Sequence, residues 1–101
     1  MLHLINFSFS GLGEAQRCLA RINSEDVLLF IANGVFSIAG NSDVTRIIEA
    51  NLDRVRVFVL SPDLEARGIP LDSLPTGIQT VDYAGFVELA VQHGPVHSWF
   101  K

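Results

Sequence analysis

Short apolar runs alternate with longer amphipathic stretches along this chain, and this alternation constrains the fold more than any other feature. The clearest runs cover residues 2–7, 27–31 and 55–60. The run at 27–31 contains no polar residue, as is typical of a parallel strand buried on both faces. The alternation predicts an α/β fold with a mainly parallel sheet of four to five strands and helices on both faces. A flavodoxin-like strand order is the nearest common arrangement.

The stretches between these runs carry apolar residues at helical spacing. A helix over about residues 12–22 is predicted by a single apolar stripe, which consists of Leu12, Ala15, Leu19 and Ile22. Further helices are predicted over residues 44–51, after a cap at Ser42-Asp43, and over residues 61–67. Asp82 caps a last helix, whose apolar stripe consists of Phe86, Leu89, Ala90 and His93.

Several shorter segments complete the predicted order of elements. Residues 71–77 read as a loop and residues 78–81 as a short strand. Residues 35–39 are compatible with a short helix or with a loop that rests on the sheet. Residues 96–100 form either a final strand or an apolar tail. A length of 101 residues predicts that all of these elements belong to one domain, over residues 1–101.

The chain carries little charge for its size. Charged residues make up 18% and apolar residues 49% of it, whereas globular domains have about 25% charged residues. A small domain has a high surface-to-volume ratio and needs more polar covering than average. Because the cores of protein interfaces are depleted in charge, we expect part of this surface to be buried against other chains. The apolar content also excludes intrinsic disorder.

Charge and hydropathy exclude several classes of partner. The net charge is −4, with six arginines and Lys101 as the only lysine, so we expect no direct nucleic-acid binding. The longest apolar run, residues 27–32, falls far short of the roughly 20 residues that span a bilayer. No secretory signal is visible, and a single cysteine is compatible with a reducing cytosol. These features predict a cytoplasmic protein without membrane contact.

Familiar cofactor and metal motifs are incomplete. Gly11-Leu-Gly13 follows the first strand, but Gln16 stands where a dinucleotide-binding loop has its third glycine. His93 and His97 are four residues apart, yet Gly94-Pro95 breaks the helix that would align them, and His3 lies far away in sequence. We therefore predict neither a cofactor nor a metal site.

Cys18 is the strongest candidate for a reactive side chain in this sequence. It lies about 80° from the centre of its helix stripe, at the border of the buried face, where a thiol can be half exposed. Arg21, one turn later, favours the thiolate, and Glu14, one turn earlier, opposes it. The residue pattern leaves two readings open: a small buried hydrophobe or a reactive thiol.

Several segments together resemble a known family. They are the opening Met-Leu-His, residues 27–30 with Asn33-Gly34-Val35, residues 57–60 with Asp63-Leu64 and Ala66-Arg67-Gly68, residues 81–89, and Ser98-Trp99-Phe100. No single piece is diagnostic, but the ordered set is similar to the TusB/DsrH family of small sulfur-relay subunits over essentially the whole chain. The resemblance implies a DsrEFH-like fold.

The resemblance also implies partners and a function. It implies a heterohexamer of two copies each of three related subunits, with TusC/TusD-like or DsrF/DsrE-like partners. In the TusBCD branch, such a complex takes persulfide sulfur from TusA and passes it through TusE towards 2-thiolation of the tRNA wobble uridine. The main active cysteine belongs there to the TusD subunit. The chain would then be a component of a sulfurtransferase complex that does not itself contact tRNA.

Two roles for this chain follow from the resemblance. As an assembly subunit, it would bury residues such as Trp99, Phe100 and part of residues 35–39 against its partners. As a carrier, it would hold a persulfide on Cys18, because the H subunit of the DsrEFH branch has a cysteine in its first helix at a matching place, allowing one residue of difference in the following turn. That branch acts in dissimilatory sulfur oxidation and is the alternative function.

Overall fold

Strands and helices alternate along the chain as the sequence predicts. The computed structural model describes residues 1–40 and 42–99. In these residues the strands are β1 (Leu2–Ile5), β2 (Val27–Phe30), β3 (Arg56–Leu60), β4 (Gln79–Val81) and β5 (Val96–Trp99). The helices are α1 (Leu12–Ala20), α2 (Asp43–Ala50), α3 (Ser61–Ala66) and α4 (Tyr83–His93), with short 3₁₀ turns at Ala32–Ser37 and Leu71–Ser73. None of these helices is long and apolar enough to cross a membrane.

The five strands form one parallel sheet in the order β4-β3-β2-β1-β5. The predicted α/β class with a parallel sheet is therefore confirmed, although this order differs from the flavodoxin order 2-1-3-4-5. The first three crossovers all run in the same direction across the sheet, and only the crossover from β4 to β5 runs back. Because crossovers are right-handed, that reversal places α4 on the opposite face from the other helices.

Each face of the sheet has its own buried core. On one face, α1, α2 and α3 pack over alternate strand residues that include Ile5, Leu28 and Val57. On the other face, α4 alone covers Leu2, Leu29 and their neighbours. All four residues of β2 are buried, which confirms the prediction of a strand covered on both sides. One face of a five-stranded sheet thus depends on a single helix.

The predicted helix caps are present. The Ser42 hydroxyl accepts a hydrogen bond from the Thr45 amide at 3.1 Å, and the Asp82 carboxylate accepts one from the Gly85 amide at 2.8 Å. Pro62 lies in the first turn of α3, where its missing amide hydrogen costs nothing. These local signals fix where the helices begin, and therefore which residues face the sheet.

The segment at 35–39 belongs largely to the core of this chain. It forms the end of a 3₁₀ turn, in which Val35 and Ile38 are fully buried and Phe36 is exposed. Gly34 lies so close to β1 that a Cβ atom there would meet the Ile5 carbonyl oxygen at 2.1 Å. Of this segment, Phe36 and the half-buried Ala39 are accessible to a partner, so the expectation that part of residues 35–39 is buried against partners stays a prediction for these two residues.

Residues 96–99, for which the sequence left a strand or an apolar tail open, form a strand. β5 pairs with β1 in register, with Leu2 opposite Val96 and Ile5 opposite Trp99. β5 is an edge strand, so its outer side carries no partner strand among the described residues. Phe100, for which we predicted burial against partners, lies outside the described residues.

Candidate functional site

The sheet has its topological switch point between β1 and β5. The chain leaves β1 towards β2 on one side and reaches β5 from the far edge on the other. In open α/β sheets, ligand sites lie in the crevice outside the carboxyl ends of the strands at such a point. Here the crevice is bounded by Phe7 and Phe9, which follow β1, and by Trp99, at the end of β5.

A pocket of about 230 Å³ opens at this crevice and extends along α1. Its wall combines aromatic rings, two arginines, one carboxylate and the only thiol of the chain, and consists of Phe7, Phe9, Glu14, Arg17, Cys18, Arg21 and Trp99. The aromatic rings support one another, since Phe7 and Phe9 pack edge to face at 5.6 Å. This is where the structure places the candidate residue Cys18.

A second pocket, of about 280 Å³, adjoins the first along β5. It is lined by Met1, His3, Arg21, His97 and Trp99. Because Arg21 and Trp99 line both pockets, they form the wall between the Cys18 side and the His3 side of the crevice.

Cys18 is buried rather than half exposed. Only 4% of the residue is accessible, which favours the first of the two interpretations that the sequence left open, a small buried hydrophobe, for this chain on its own. The angle around α1 places Cys18 at the edge of the helix stripe, as predicted, but residues from other elements close over that edge. Phe9 belongs to the same buried cluster as Cys18, and Trp99 packs against that cluster.

Burial makes the thiol a weak acid. Burial and, to a smaller extent, Glu14 raise the pKa of Cys18, whereas Arg21 lowers it, and the net result is a pKa of about 11. The opposing effects predicted for Glu14 and Arg21 are therefore confirmed in sign. At neutral pH a thiol with this pKa is ionised in about one molecule in ten thousand. Since the thiolate is the nucleophile, Cys18 is chemically quiet in the isolated chain.

We predict that Glu14→Gln makes Cys18 more acidic. Removal of the negative charge lowers the pKa of the thiol, but burial, the larger cause, keeps it above the ordinary value. The measurement is the pH dependence of the rate at which iodoacetamide alkylates the thiolate, followed by mass spectrometry of the labelled peptide, which reports Cys18 alone because the chain has no other cysteine. Glu65→Gln, at an exposed position on α3, is the matched control and leaves the titration unchanged. An unchanged curve for Glu14→Gln would contradict the electrostatic assignment.

Arg54 fixes the end of α1, and with it the position of Cys18. Its guanidinium donates hydrogen bonds to the carbonyl oxygens of Leu19, at 3.0 Å, and of Ile22. It also donates to the Asn51 side chain at 3.2 Å. A guanidinium can satisfy several unpaired carbonyls at a helix C-terminus at once. Sequence spacing gives no sign of this contact, because Arg54 follows Leu19 by 35 residues.

His3 lies at the centre of a hydrogen-bonded chain. Its Nδ1 accepts a hydrogen bond from Trp99 Nε1–H at 3.0 Å, and its Nε2 lies 2.9 Å from the Asp26 carboxylate. The sequence suggested His3 only as a metal ligand, together with His93 and His97. The rings of His3 and His97 are 5.8 Å apart, whereas His93 ends α4 on the other face of the sheet. Among residues 1–40 and 42–99, no three His, Cys, Asp or Glu side chains gather as metal ligands.

Asp26 is held in its ionised form. Burial alone would raise its pKa, but hydrogen bonds from His3, from the Asn23 amide and from the N-terminal ammonium lower it below the usual value. The N-terminal ammonium lies 3.3 Å from the second carboxylate oxygen. Asp26 therefore stays negatively charged at any pH at which His3 can change its protonation state.

The family of the chain follows from comparison with known proteins. The family described as "DsrH like protein" matches residues 10–96, which include α1 with Cys18 and most of the sheet. The chain belongs to the DsrH-like family. Within the site, the matched residues include Glu14, Arg17, Cys18 and Arg21, whereas the aromatic and histidine residues from β1, β5 and the segment after β1 lie outside them.

Curated relatives support the assignment to the DsrH-like family. The chain is 35% identical to Protein TusB of Photorhabdus laumondii, over 73% of this chain and 75% of that protein. It is 30% identical to Protein TusB of Enterobacter sp. strain 638, over 98% of this chain and all of that protein. Protein TusB of Yersinia enterocolitica is 30% identical over 80% of this chain and 82% of its own length.

Solved structures support the fold. A protein of unknown function from Methanobacterium thermoautotrophicum matches with a TM-score of 0.69 at 18% identity, over 97% of this chain and 96% of that one. The solution structure of a protein from Thermotoga maritima matches with a TM-score of 0.63 at 18% identity, over 91% of this chain and 93% of that one. At this identity, the likeness concerns the fold alone.

The segments that resemble the family meet in space at the carboxyl ends of β2 and β3. The Asp63 carboxylate accepts a hydrogen bond from the Ala32 amide at 2.6 Å, and Arg67 donates to the Asn33 side chain at 3.1 Å. These two contacts join the turn after β2 to α3. In this DsrH-like chain, the resembling segments around Asn33 and Asp63 thus brace the scaffold, whereas the thiol lies at the switch point.

Proposed function

We propose that this chain is a subunit of a cytoplasmic sulfur-relay complex that acts in 2-thiolation of the tRNA wobble uridine. Its own contribution is mainly to assemble the complex. The observation that carries the proposal is the state of Cys18 in a chain of the DsrH-like family: the thiol is 4% exposed, and its pKa is raised to about 11, mainly by burial. A thiol in this state is a poor first acceptor of sulfur, so the reactive cysteine belongs on a partner.

A second observation supports the assembly role. The helix α4 has an apolar stripe on its outer side as well as on the side that packs on the sheet. The outer stripe consists of Tyr83, Val87 and Val91, which are 61%, 63% and 79% exposed. An apolar stripe on a helix normally packs against another element or another chain. In the proposal, a TusC/TusD-like or DsrF/DsrE-like subunit covers this stripe within a heterohexamer, as the low charge of the chain also predicts.

The charge of the chain fits a relay that works through proteins. A net charge of −4 disfavours binding to the phosphates of tRNA. In the proposal, TusA-like and TusE-like carriers bring sulfur to the complex and take it away, while this chain contributes one domain, over residues 1–101. Its exchange partners are cysteine persulfides, which need neither a metal nor a nucleotide.

Persulfide carriage on Cys18 is the second proposed role. The Cys18 thiolate would attack the outer sulfur of a partner's cysteine persulfide; a new bond from Cys18 Sγ to that sulfur forms, and the sulfur–sulfur bond of the donor breaks. The donor leaves as a thiolate, and neither side needs another oxidant. For this step, a partner must open the pocket and offset the effect of burial on the thiol.

The alternative function is that of a DsrH-like subunit in dissimilatory sulfur oxidation. The specific observation in its favour is Cys18 itself, which lies on the first helix of the chain, as a cysteine does in the H subunit of that branch. The gene neighbourhood separates the branches. Adjacent genes for dissimilatory sulfite reductase would favour oxidation, and their absence together with tRNA-thiolation genes favours the relay to tRNA.

The test of the proposed function is the 2-thiouridine content of tRNA in a strain that lacks this gene. We expect the modified base to disappear on deletion and to return with the wild-type chain. Cys18→Ser is expected to restore it equally well, since the assembly role does not need the thiol. Mass spectrometry of digested tRNA gives the measurement. Full 2-thiouridine in the deletion strain would contradict the proposal.

The carrier role has its own test on the assembled complex. After incubation with a cysteine desulfurase and cysteine, a persulfide would add about 32 Da, one sulfur atom, to the Cys18 peptide. The adduct must disappear in Cys18→Ser. Its absence from the wild-type complex would refute carriage on Cys18 and leave the assembly role intact.

A further inference from the structure

The hydrogen bonds of His3 specify its protonation state. The indole N–H of Trp99 can only donate, so His3 Nδ1, 3.0 Å away, must be an acceptor and carries no proton. The proton of the neutral ring is then on Nε2, which donates it to Asp26 at 2.9 Å. Both ring nitrogens are thus satisfied in one tautomer. His3 is 3% exposed, so water offers little replacement for either bond.

Protonation of His3 is incompatible with this arrangement. A proton added at Nδ1 would point an N–H at the N–H of Trp99, and the hydrogen bond between them would be lost. The bond to Asp26 would remain and gain the attraction of opposite charges. Protonation of His3 therefore breaks its hydrogen bond with the Trp99 indole and keeps its hydrogen bond with the Asp26 carboxylate.

The indole has freedom to move while its backbone does not. Trp99 is held in β5 by its pairing with Ile5 of β1, and its side chain is half buried. With the backbone fixed, loss of the hydrogen bond leaves rotation of the side chain as the way to separate the two N–H groups. Because Trp99 lines both pockets and Cys18 lines the first of them, rotation of the indole changes the shape of the pocket beside Cys18.

The charged groups around His3 have opposing effects on the protonation of its ring. They come from each element packed against the ring and are the Asp26 carboxylate, Arg21 at the end of α1, His97 on β5 and the N-terminal ammonium. Asp26 favours the charged ring, whereas Arg21, the ammonium and a protonated His97 oppose it. The pKa of Asp26 is lowered, so this carboxylate does not itself titrate in the same range.

We infer that His3 is a positioning residue: its neutral form holds the Trp99 indole in the wall of the pocket that Cys18 lines, and its protonation releases the indole and widens that pocket. The consequence for sulfur transfer rests on the proposed function, but the coupling between His3, Trp99 and Cys18 is a property of this chain. Acidification then exposes the thiol, and binding of a partner that accepts or displaces the indole would do the same at neutral pH.

The experiment uses the full-length chain with ¹⁵N-labelled tryptophan, alone or reconstituted with unlabelled partner subunits. Trp99 is the only tryptophan, so one indole N–H signal reports the hydrogen bond. Between about pH 8 and about pH 5.5, the range that spans histidine titration, we expect the signal to shift along a one-proton curve. We expect acrylamide quenching of Trp99 fluorescence to rise about fivefold, because the loss of one ordinary hydrogen bond changes the ratio of released to held indole by about that factor.

Variants at His3 separate positioning from a merely structural role. His3→Asn keeps a carbonyl acceptor near the place of Nδ1 but does not titrate, so it should hold the indole closed at every pH. His3→Leu removes the acceptor and should leave the indole released at every pH. His97→Gln is the matched control, because His97 also packs on Trp99, with ring centres 5.0 Å apart, but is exposed and lies outside the hydrogen-bonded chain. It should keep a one-proton pH profile, with only the midpoint moved by loss of the His97 charge.

Access to Cys18 completes the test. The rate of Cys18 labelling by a small disulfide reagent at a single neutral pH should be about fivefold faster in His3→Leu than in His3→Asn. A flat indole titration in the wild-type chain would overturn the inference without any variant, even if a variant fails to fold. Loss of the pH profile in His97→Gln would also overturn it. None of these readouts depends on persulfide, so failure of the proposed function would leave them unchanged.

Discussion

Replacement of Val87 and Val91 by aspartate is expected to abolish assembly with the partner subunits while this chain stays folded. Both side chains lie on the outer side of α4, where they are 63% and 79% exposed, so the core of the chain does not depend on them. In the complex, they would become two carboxylates buried without partners. Burial of one such charge costs about 3 kcal/mol or more, so affinity should fall by at least about two orders of magnitude.

Co-purification of co-expressed subunits measures this effect, with far-ultraviolet circular dichroism as the check on folding. Leu71→Asp is the matched control. Leu71 is 63% exposed, like Val87, but it lies in the Leu71–Ser73 turn, away from α4. The control should retain the partners. Normal assembly of the double variant, or equal loss in the control, would contradict an interface on α4.

Substitution of Gly34 by alanine is expected to produce the largest loss of stability from a single methyl group. The added Cβ would lie 2.1 Å from the Ile5 carbonyl oxygen, a backbone atom that cannot move aside cheaply. The same oxygen accepts the hydrogen bond of the Ile31 amide at 3.0 Å, so a shift also disturbs the join between β1 and the end of β2. Overpacking of this severity costs about 3 kcal/mol of the free energy of unfolding.

Urea unfolding followed by circular dichroism measures the change. Gly13→Ala provides a control of opposite sign, because Gly13 lies in α1 and a Cβ there would make an ordinary contact with the Arg17 side chain at 3.4 Å. Alanine has the higher helix propensity, so this variant should gain roughly 0.5 kcal/mol. Equal stability of Gly34→Ala and the wild-type chain would show that the turn after β2 does not press against β1 as described.

Much of the scaffold could be predicted because it rests on local signals. The unbroken apolar run of β2 indicated burial on both faces, and Ser42 and Asp82 marked where α2 and α4 begin. The strand order could not be predicted in the same way. It depends on the direction of each crossover, and the reversal before β5 leaves no trace in hydrophobic periodicity.

The site required contacts between distant parts of the chain. Helix spacing placed Cys18 at the edge of its stripe, but its buried cluster includes residues of other elements, such as Phe9, which periodicity within α1 cannot register. The bond between His3 and Trp99 joins residues 96 positions apart. The outer face of α4 left a clearer sign, since Tyr83, Val87 and Val91 recur every four residues in a helix whose inner stripe is also apolar.

The central claim is that this chain is needed for sulfur transfer as a subunit, whereas its thiol is not. The most direct test is sulfur transfer from cysteine, through a desulfurase and the reconstituted complex, to the acceptor protein, with the product measured by mass spectrometry. We predict no transfer by the partner subunits without this chain, and full transfer when Cys18→Ser replaces the wild-type chain. Transfer without this chain, or its loss in Cys18→Ser, would contradict the claim.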